Sequence, residues 1–231
     1  MPEILDLSVC PRAQSSLEEF ILMAKCLGIT GLATIESLNQ PIERRDDGFI
    51  LLQRFDLRQA AKRSMKSQLN KIRKDTAIVS APLHDVALTN WAAEDSRIDL
   101  ITPVEPYTEH RLKRSTAKIA ASTNTALEIP VSPLLTSQGI NRARILKTFR
   151  EAVRTARSAS MPVVIASHAE VPLAMRAPRA LQYIGCLLGL SMTEAKACVR
   201  ENPAVILSRN ERKLSGGHLT EGVEIMGGRV E

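Results

Sequence analysis

Short apolar runs alternate with amphipathic stretches along most of the chain. The runs Ile4–Val9, Gly31–Ile35, Phe49–Phe55, Ala77–Ser80, Ile98–Thr102, Thr125–Ile129 and Val163–Ala166 are brief and mostly uncharged. That is the pattern of strands covered on both faces. Between and after them, apolar residues recur at helical spacing over Ser15–Leu27, Gln59–Arg73, His84–Glu94, Glu109–Ser122, Asn141–Ser158, Leu181–Leu190 and Met192–Glu201. Ser15 and Ser16 before Glu18 and Glu19 form a capping pattern, and Gly28 ends that first helix. Asp46-Asp47-Gly48 reads as a turn into the third strand. The alternation predicts an α/β fold with a parallel sheet. Seven or eight units in one chain predict closure into a TIM-barrel-like (β/α) barrel, with a doubly wound open sheet as the alternative. Ala204-Val205-Ile206-Leu207 reads either as an eighth strand or as part of a helix capped by Asn202 and started by Pro203. Residues 1–212 are expected to form one barrel domain, and the Gly-rich residues 213–231 a mobile tail outside it.

Size and composition fit that plan. A chain of 231 residues, 44% hydrophobic and 24% charged, can bury a substantial core. Cys10, Cys26, Cys186 and Cys198 are scattered, with no C-x-x-C and no histidine at ligand spacing; Cys26, Cys186 and Cys198 fall in helical apolar patterns and are expected to be packed thiols, with a reducing cytoplasm as the setting. The start of the chain lacks the secretory pattern, and the longest apolar run, Tyr183 to Leu190, is too short to span a bilayer. A soluble cytoplasmic protein is the reading.

Charge changes the picture more than composition does. The net charge is only +6, yet residues 54–74 carry eight basic side chains against one acidic, and 142–157 carry six against one. Residues 1–53 carry four against eight, and 76–106 one against five. Segregation of this kind builds basic faces suited to an anionic partner, although any one such helix could be just a solvated face. Four Phe, two Tyr and one Trp are too few for base-stacking platforms, so contacts to nucleic acid should fall on phosphates.

On the helix Asn141–Ser158, Lys147, Arg150, Arg154 and Arg157 share one side, while Leu146, Phe149, Val153 and Ala156 share the neighbouring one. The helix Gln59–Arg73 buries Ala61, Met65, Leu69 and Ile72 and leaves Arg58, Lys62, Lys66 and Arg73 outward. Arg54 and Arg58 flank the end of the third strand, near the barrel's C-terminal rim. Arg111, Arg114 and Lys118 follow the fifth strand, beside a Tyr107 that suits packing better than base stacking. Arg176 and Arg179 flank Pro178, which stiffens the turn that presents them to an anion or, otherwise, to Glu170 or a helix-end carbonyl.

The ordered set Ile4-Leu5-Asp6-Leu7, Asp99-Leu100-Ile101 with Pro103, Ala126-Leu127-Glu128-Ile129, Pro133-Leu134-Leu135, Met175-Arg176-Ala177-Pro178-Arg179, Leu187-Leu188-Gly189-Leu190, Ala195-Lys196-Ala197 and Asn202-Pro203 resembles the archaeal and eukaryotic ribonuclease P protein component 3 family. The likeness runs from about Ile4 to Asn210 and implies a TIM-barrel-like fold. It implies a protein subunit of the ribonucleoprotein that removes the 5′ leader from precursor tRNA, with catalysis in an RNA that binds magnesium. The chain itself would then bind no cofactor or metal and supply no catalytic residue. The implied partners are the catalytic RNA, precursor tRNA indirectly, and component 2 with the other protein subunits. Apolar residues around Val171 to Met175 are contributors to consider for the component 2 contact. The resemblance assigns RNA contact to Arg176, Arg179 and Lys196, and more weakly to Arg111, Arg114 and Lys118. The family's range and the compact length point to an archaeon.

The rival from the residues is a metal-dependent barrel hydrolase centred on Asp6, Glu128 and His168, with Glu36. The first strand ends in Asp6-Leu7-Ser8-Val9 rather than in a histidine pair, and Glu128 reads better as a satisfied structural carboxylate. A third possibility is a protein-binding scaffold whose basic faces never meet RNA.

Overall fold

A computed structural model describes residues 3–12, 15–58 and 62–215, and the backbone at 218–220 and 223–224. Among the described residues seven parallel strands form the body: β1 (Leu5–Val9), β2 (Gly31–Thr34), β4 (Ile50–Asp56), β5 (Ile78–Leu83), β6 (Leu100–Pro103), β7 (Ala126–Pro130) and β8 (Val163–Ala166), adjacent in that order. A short β3 (Ile42–Arg44) lies antiparallel on β4. Helices α1 (Leu17–Cys26), α2 (Lys62–Ile72), α3 (Val86–Glu94), α4 (Arg114–Ser122), α5 (Ser132–Thr136) and α6 (Gly139–Ser158) fill the crossovers. After β8 come α7 (Pro178–Leu187), α8 (Met192–Val199) and α9 (Glu201–Leu214), then a small hairpin of β9 (His218–Thr220) and β10 (Val223–Glu224).

The sheet closes where β8 meets β1. A single bridge joins Val9 to Ala169, flanked by the His168 N–H donating to Ser8 O at 2.9 Å and the Cys10 N–H to Ala169 O at 2.8 Å. Asp6 stitches the same seam: its Oδ1 accepts from the backbone N–H of Ser167 at 3.0 Å and of Ser8 at 3.3 Å. Its Oδ2 is buried with no hydrogen-bond partner among the described residues, and burial pushes the Asp6 carboxyl up from its ordinary value. The open-sheet alternative is thereby excluded.

Ile206 and Leu207 resolve the ambiguous run at 204–207 as helix. Pro203, Ile206, Leu207 and Asn210 are buried at spacings of three and four, the period of α9 rather than of a strand. Pro203 sits in the first turn, where its missing N–H leaves no bond unmade. Asn202 is not the cap; its side-chain amide donates to Val163 O at 2.7 Å. Asn210 donates to Ala77 O at 2.8 Å, and Arg209 to Asn124 O and Asp99 Oδ1 at 2.6 and 2.7 Å. All four partners lie at or near the N-terminal ends of strands, so α9 covers that mouth of the barrel. Ile206 and Leu207 there meet Leu5, Leu7, Ile50, Leu52, Ile78, Leu100 and Val164 of the interior.

The Ser16–Glu19 capping box forms as expected at α1. Two short elements, β3 and α5, carry no readable periodicity and were not anticipated. The chain over Glu109–Lys113 is not helical, and α4 begins at Arg114. The start of the Gln59 helix, including Ala61, lies outside the described residues. So does most of the expected tail, although α9 continues to Leu214. No helix among the described residues is long and apolar enough to cross a membrane.

Candidate nucleic-acid interface

Helix α6 packs Ile145, Thr148, Phe149, Ala152, Val153 and Ala156 inward, which turns its cations to solvent. Lys147 and Arg154 are exposed and make no ion pair among the described residues. Arg150 is exposed too, but its Nε donates to Leu187 O at 2.8 Å. Arg157 is tied to Glu194 at 2.6 Å. The row therefore exists, with its two free members one helical repeat of seven residues apart. Beside it, Arg114 and Lys118 are exposed on α4, and Arg111 pairs with Glu151 of α6. Tyr107 stacks edge-on against Phe149, with ring centroids 5.8 Å apart, and serves packing.

Arg179 is exposed in the first turn of α7, and Lys196 is exposed on α8. Arg176 is half-buried, and its Nη1 donates to Leu173 O at 3.0 Å and Met175 O at 2.7 Å. It clasps its own loop through Nη1. Glu170 pairs with Arg12 rather than with either of these arginines. On α2, Lys62 and Lys66 are exposed, Met65 and Leu69 are buried, and Arg58 stands exposed before the helix. Arg73 is not outward: it donates to Thr76 O at 2.9 Å and to Asn210 Oδ1 at 3.2 Å.

Arg54 is the clear correction. Expected at the surface, it is 1% exposed, with its guanidinium inside the barrel. Its Nη1 and Nη2 each lie 2.7 Å from an oxygen of Glu128, its Nη1 also donates to Leu7 O at 2.6 Å, and its Nε to Asp56 at 2.8 Å. The reason is period two along β4. Ile50, Leu52 and Arg54 share one side of the strand, so Arg54 follows the inward residues. Burial alone would pull the arginine's pKa down, but the charges of Asp56 and Glu128 outweigh it and raise it. Burial would likewise push the Glu128 carboxyl up, but the charge of Arg54, then that of His168, holds it far below the usual carboxylate range.

Glu128 is fully occupied. Its Oε2 also accepts from the Thr102 hydroxyl at 2.6 Å and lies 3.0 Å from His168 Nε2. The hydrolase reading needs Asp6, Glu128 and His168 to converge with free oxygens. The structure brings His168 to Glu128 but spends that carboxylate on Arg54 and places Asp6 on backbone amides of the seam. Among the described residues no three His, Cys, Asp or Glu side chains are grouped to hold a metal. Glu128 is thus the satisfied structural carboxylate expected of it, with Cys10 beside it; in this centre only Arg54 was misplaced, and the parity of β4 was the signal that could have found it.

The profile of the RNase P subunit p30 family matches residues 3–215. The chain belongs to that family. Its p30-family relatives include the ribonuclease P protein component 3 of Methanococcoides burtonii, 26% identical over 95% of this chain and 92% of that protein. The component 3 of Methanothermobacter thermautotrophicus is 27% identical over 83% of this chain and 77% of its own length. Among solved structures, a chain in the cryo-EM structure of archaeal ribonuclease P with mature tRNA superposes with a TM-score of 0.80 at 20% identity, covering 97% of this chain and all of that one. An enamidase of the amidohydrolase superfamily, 13% identical with a TM-score of 0.53 over 90% of this chain, shares the barrel. The p30-family barrel is therefore a fold that hydrolases also use, here with an arginine salt bridge at its centre.

Proposed function

We propose that this ribonuclease P subunit binds the catalytic RNA and supports its folding through exposed surface cations, and takes no chemical step itself. The observation that carries the reading is the exposed pair Lys147 and Arg154 on α6, unpartnered among the described residues, in a chain of the ribonuclease P family. Arg58, Arg114, Lys118, Arg179 and Lys196, also exposed, extend the contact, with Arg111, Arg150, Arg157 and Arg176 contributing the nitrogens that their protein bonds leave unused. Cations along an RNA backbone lower the repulsion between approaching segments, so folding needs less magnesium. The magnesium belongs to the RNA and the chain holds no cofactor. Precursor tRNA is met through the assembled particle, which would lie in the cytoplasm. Component 2 is the protein partner, and Val171 and Leu173, 42% and 80% exposed, suit that contact.

A filter-binding titration of the purified chain against ribonuclease P RNA tests this. The logarithm of the affinity should fall linearly with the logarithm of the salt concentration, by about 0.7 to 0.9 per phosphate neutralised. Affinity independent of salt would point to the scaffold reading instead.

A further inference from the structure

Among the described residues, the basic side chains of the helices α2 to α8 around the barrel wall fall into two sectors, not one. Going round the barrel, α2 lies over β4 and β5, while α6 lies over β7 and β8, three of the seven strand intervals away. Between them on one side is α3, where the sequence from Asp85 to Asp95 contains no cation and ends in exposed Glu94 and in Asp95, itself bound to Arg97. On the other side stands α1 with Glu18 and Glu19, and the β3 turn. There Arg44 and Arg45 are consumed by Glu3, Glu211 and Glu18. The α4, α6, α7 and α8 cations make one basic sector; α2 makes the other.

The α2 sector is also the less self-satisfied. Lys62, Arg63, Lys66, Lys71 and Lys74 are all exposed, and none has an ion pair among the described residues. By contrast Arg111, Arg150 and Arg157 of the α6 side are each already bonded within the protein. Lys62, Arg63 and Lys66 share one side of α2, with Met65 and Leu69 holding the helix to the barrel. No Phe, Tyr or Trp occurs between Phe55 and Trp91, and the His84 ring is stacked on His110, so the α2 face offers no platform for unpaired bases. Its chemistry fits the phosphates of a double-helical RNA segment.

We infer that the α2 face is a second RNA-binding surface, and that the barrel bridges two separate double-helical segments held on nearly opposite sides. Because acidic sectors intervene both ways, one straight helix cannot lie on both faces. This inference rests on the RNA-binding reading above and adds to it a bivalent geometry. A bridging subunit would fix the distance between two RNA segments, where a one-sided one would only screen them.

The test uses the full chain with short RNA duplexes of about 16 base pairs, half carrying a donor dye and half an acceptor. Light scattering fixes the number of chains in each complex. Two duplexes per single chain, with energy transfer between them, is the expected result. The Lys62→Gln/Arg63→Gln/Lys66→Gln variant should lose the transfer and bind one duplex. Lys147→Gln/Arg154→Gln should lose the other duplex and keep the one on α2. One duplex per wild-type chain, or transfer seen only when two chains are present, overturns the bridge. If only the α6 variant weakens binding, the RNA-binding reading survives and the bridge does not. If neither variant changes binding, both readings fall.

Discussion

Arg54 and Glu128 face each other inside the barrel as a two-pronged ion pair, both contacts 2.7 Å and both side chains inaccessible to solvent. They lie above Leu7 and Leu52, at the end of the barrel opposite to α9. Removing one partner leaves the other buried charge without its two-pronged counter-ion, Arg54 keeping only Asp56 and Glu128 only Thr102 and His168. Arg54→Met or Glu128→Gln should each lower unfolding stability, with a loss of about 3–5 kcal/mol for a fully broken pair. Arg54→Met/Glu128→Leu should cost less than the sum. Urea midpoints of the three variants test this; singles that match the wild type would mean the pair contributes nothing. Glu128 also has a sign in pH. Its carboxyl is depressed in the fold, so its contribution is complete above the unfolded carboxylate range and is lost as pH falls below it.

Asp6 has the opposite sign. Burial raises its pKa in the folded chain, so the protonated form is favoured there. Its contribution is complete below the unfolded carboxylate pKa of about 4 and is lost as pH rises through the raised value. Asp6→Asn keeps an oxygen for the Ser8 and Ser167 amides and carries no charge. Relative to the wild type it should gain stability on going from acid to neutral pH, read from urea midpoints at stepped pH. A constant difference across pH would show that the raised pKa is not felt.

Much of this was legible in the sequence. All seven parallel strands stand where short apolar runs put them, because strands covered on both faces are mostly apolar. The α6 cations were legible because an amphipathic helix of twenty residues fixes which side faces water. Arg54 was not, since a charged side chain points to the surface by composition while the parity of β4 turns it inward. Arg73 and Arg157 look free in sequence, but their partners Asn210 and Glu194 are distant along the chain and meet them only through the fold. Helix α9 was ambiguous because four apolar residues at 204–207 are too few to show a period until Asn210 is known to be buried.

The free and the tied cations should behave differently. Lys147→Gln/Arg154→Gln removes two exposed charges and no protein contact, so the salt slope of RNA binding should drop by about 1.5 with the thermal midpoint unmoved. Arg176→Ala should weaken RNA binding and also loosen the loop whose carbonyls it clasps, lowering the midpoint. Equal midpoints for both variants would show that the clasp carries no stability.

Thiol reactivity reports on the same interior. Burial pushes the Cys10 thiol up to about 11 and the Cys198 thiol to about 12, whereas Cys26 is exposed. At pH 8 in native buffer, iodoacetamide should label Cys26 first and leave Cys10 and Cys198 until the chain is unfolded. Rapid labelling of Cys10 would mean that the polar centre opens to solvent.

On the proposed function, the chain supplies charge and the RNA supplies the chemistry. Cleavage of precursor tRNA by the catalytic RNA, followed across a magnesium titration with and without the chain and its component 2 partner, tests it most directly. The expected result is no cleavage by the protein alone, and a lower magnesium midpoint with the wild-type chain than with Lys147→Gln/Arg154→Gln. Leader removal by the RNA-free protein, or a midpoint indifferent to the chain, would contradict it.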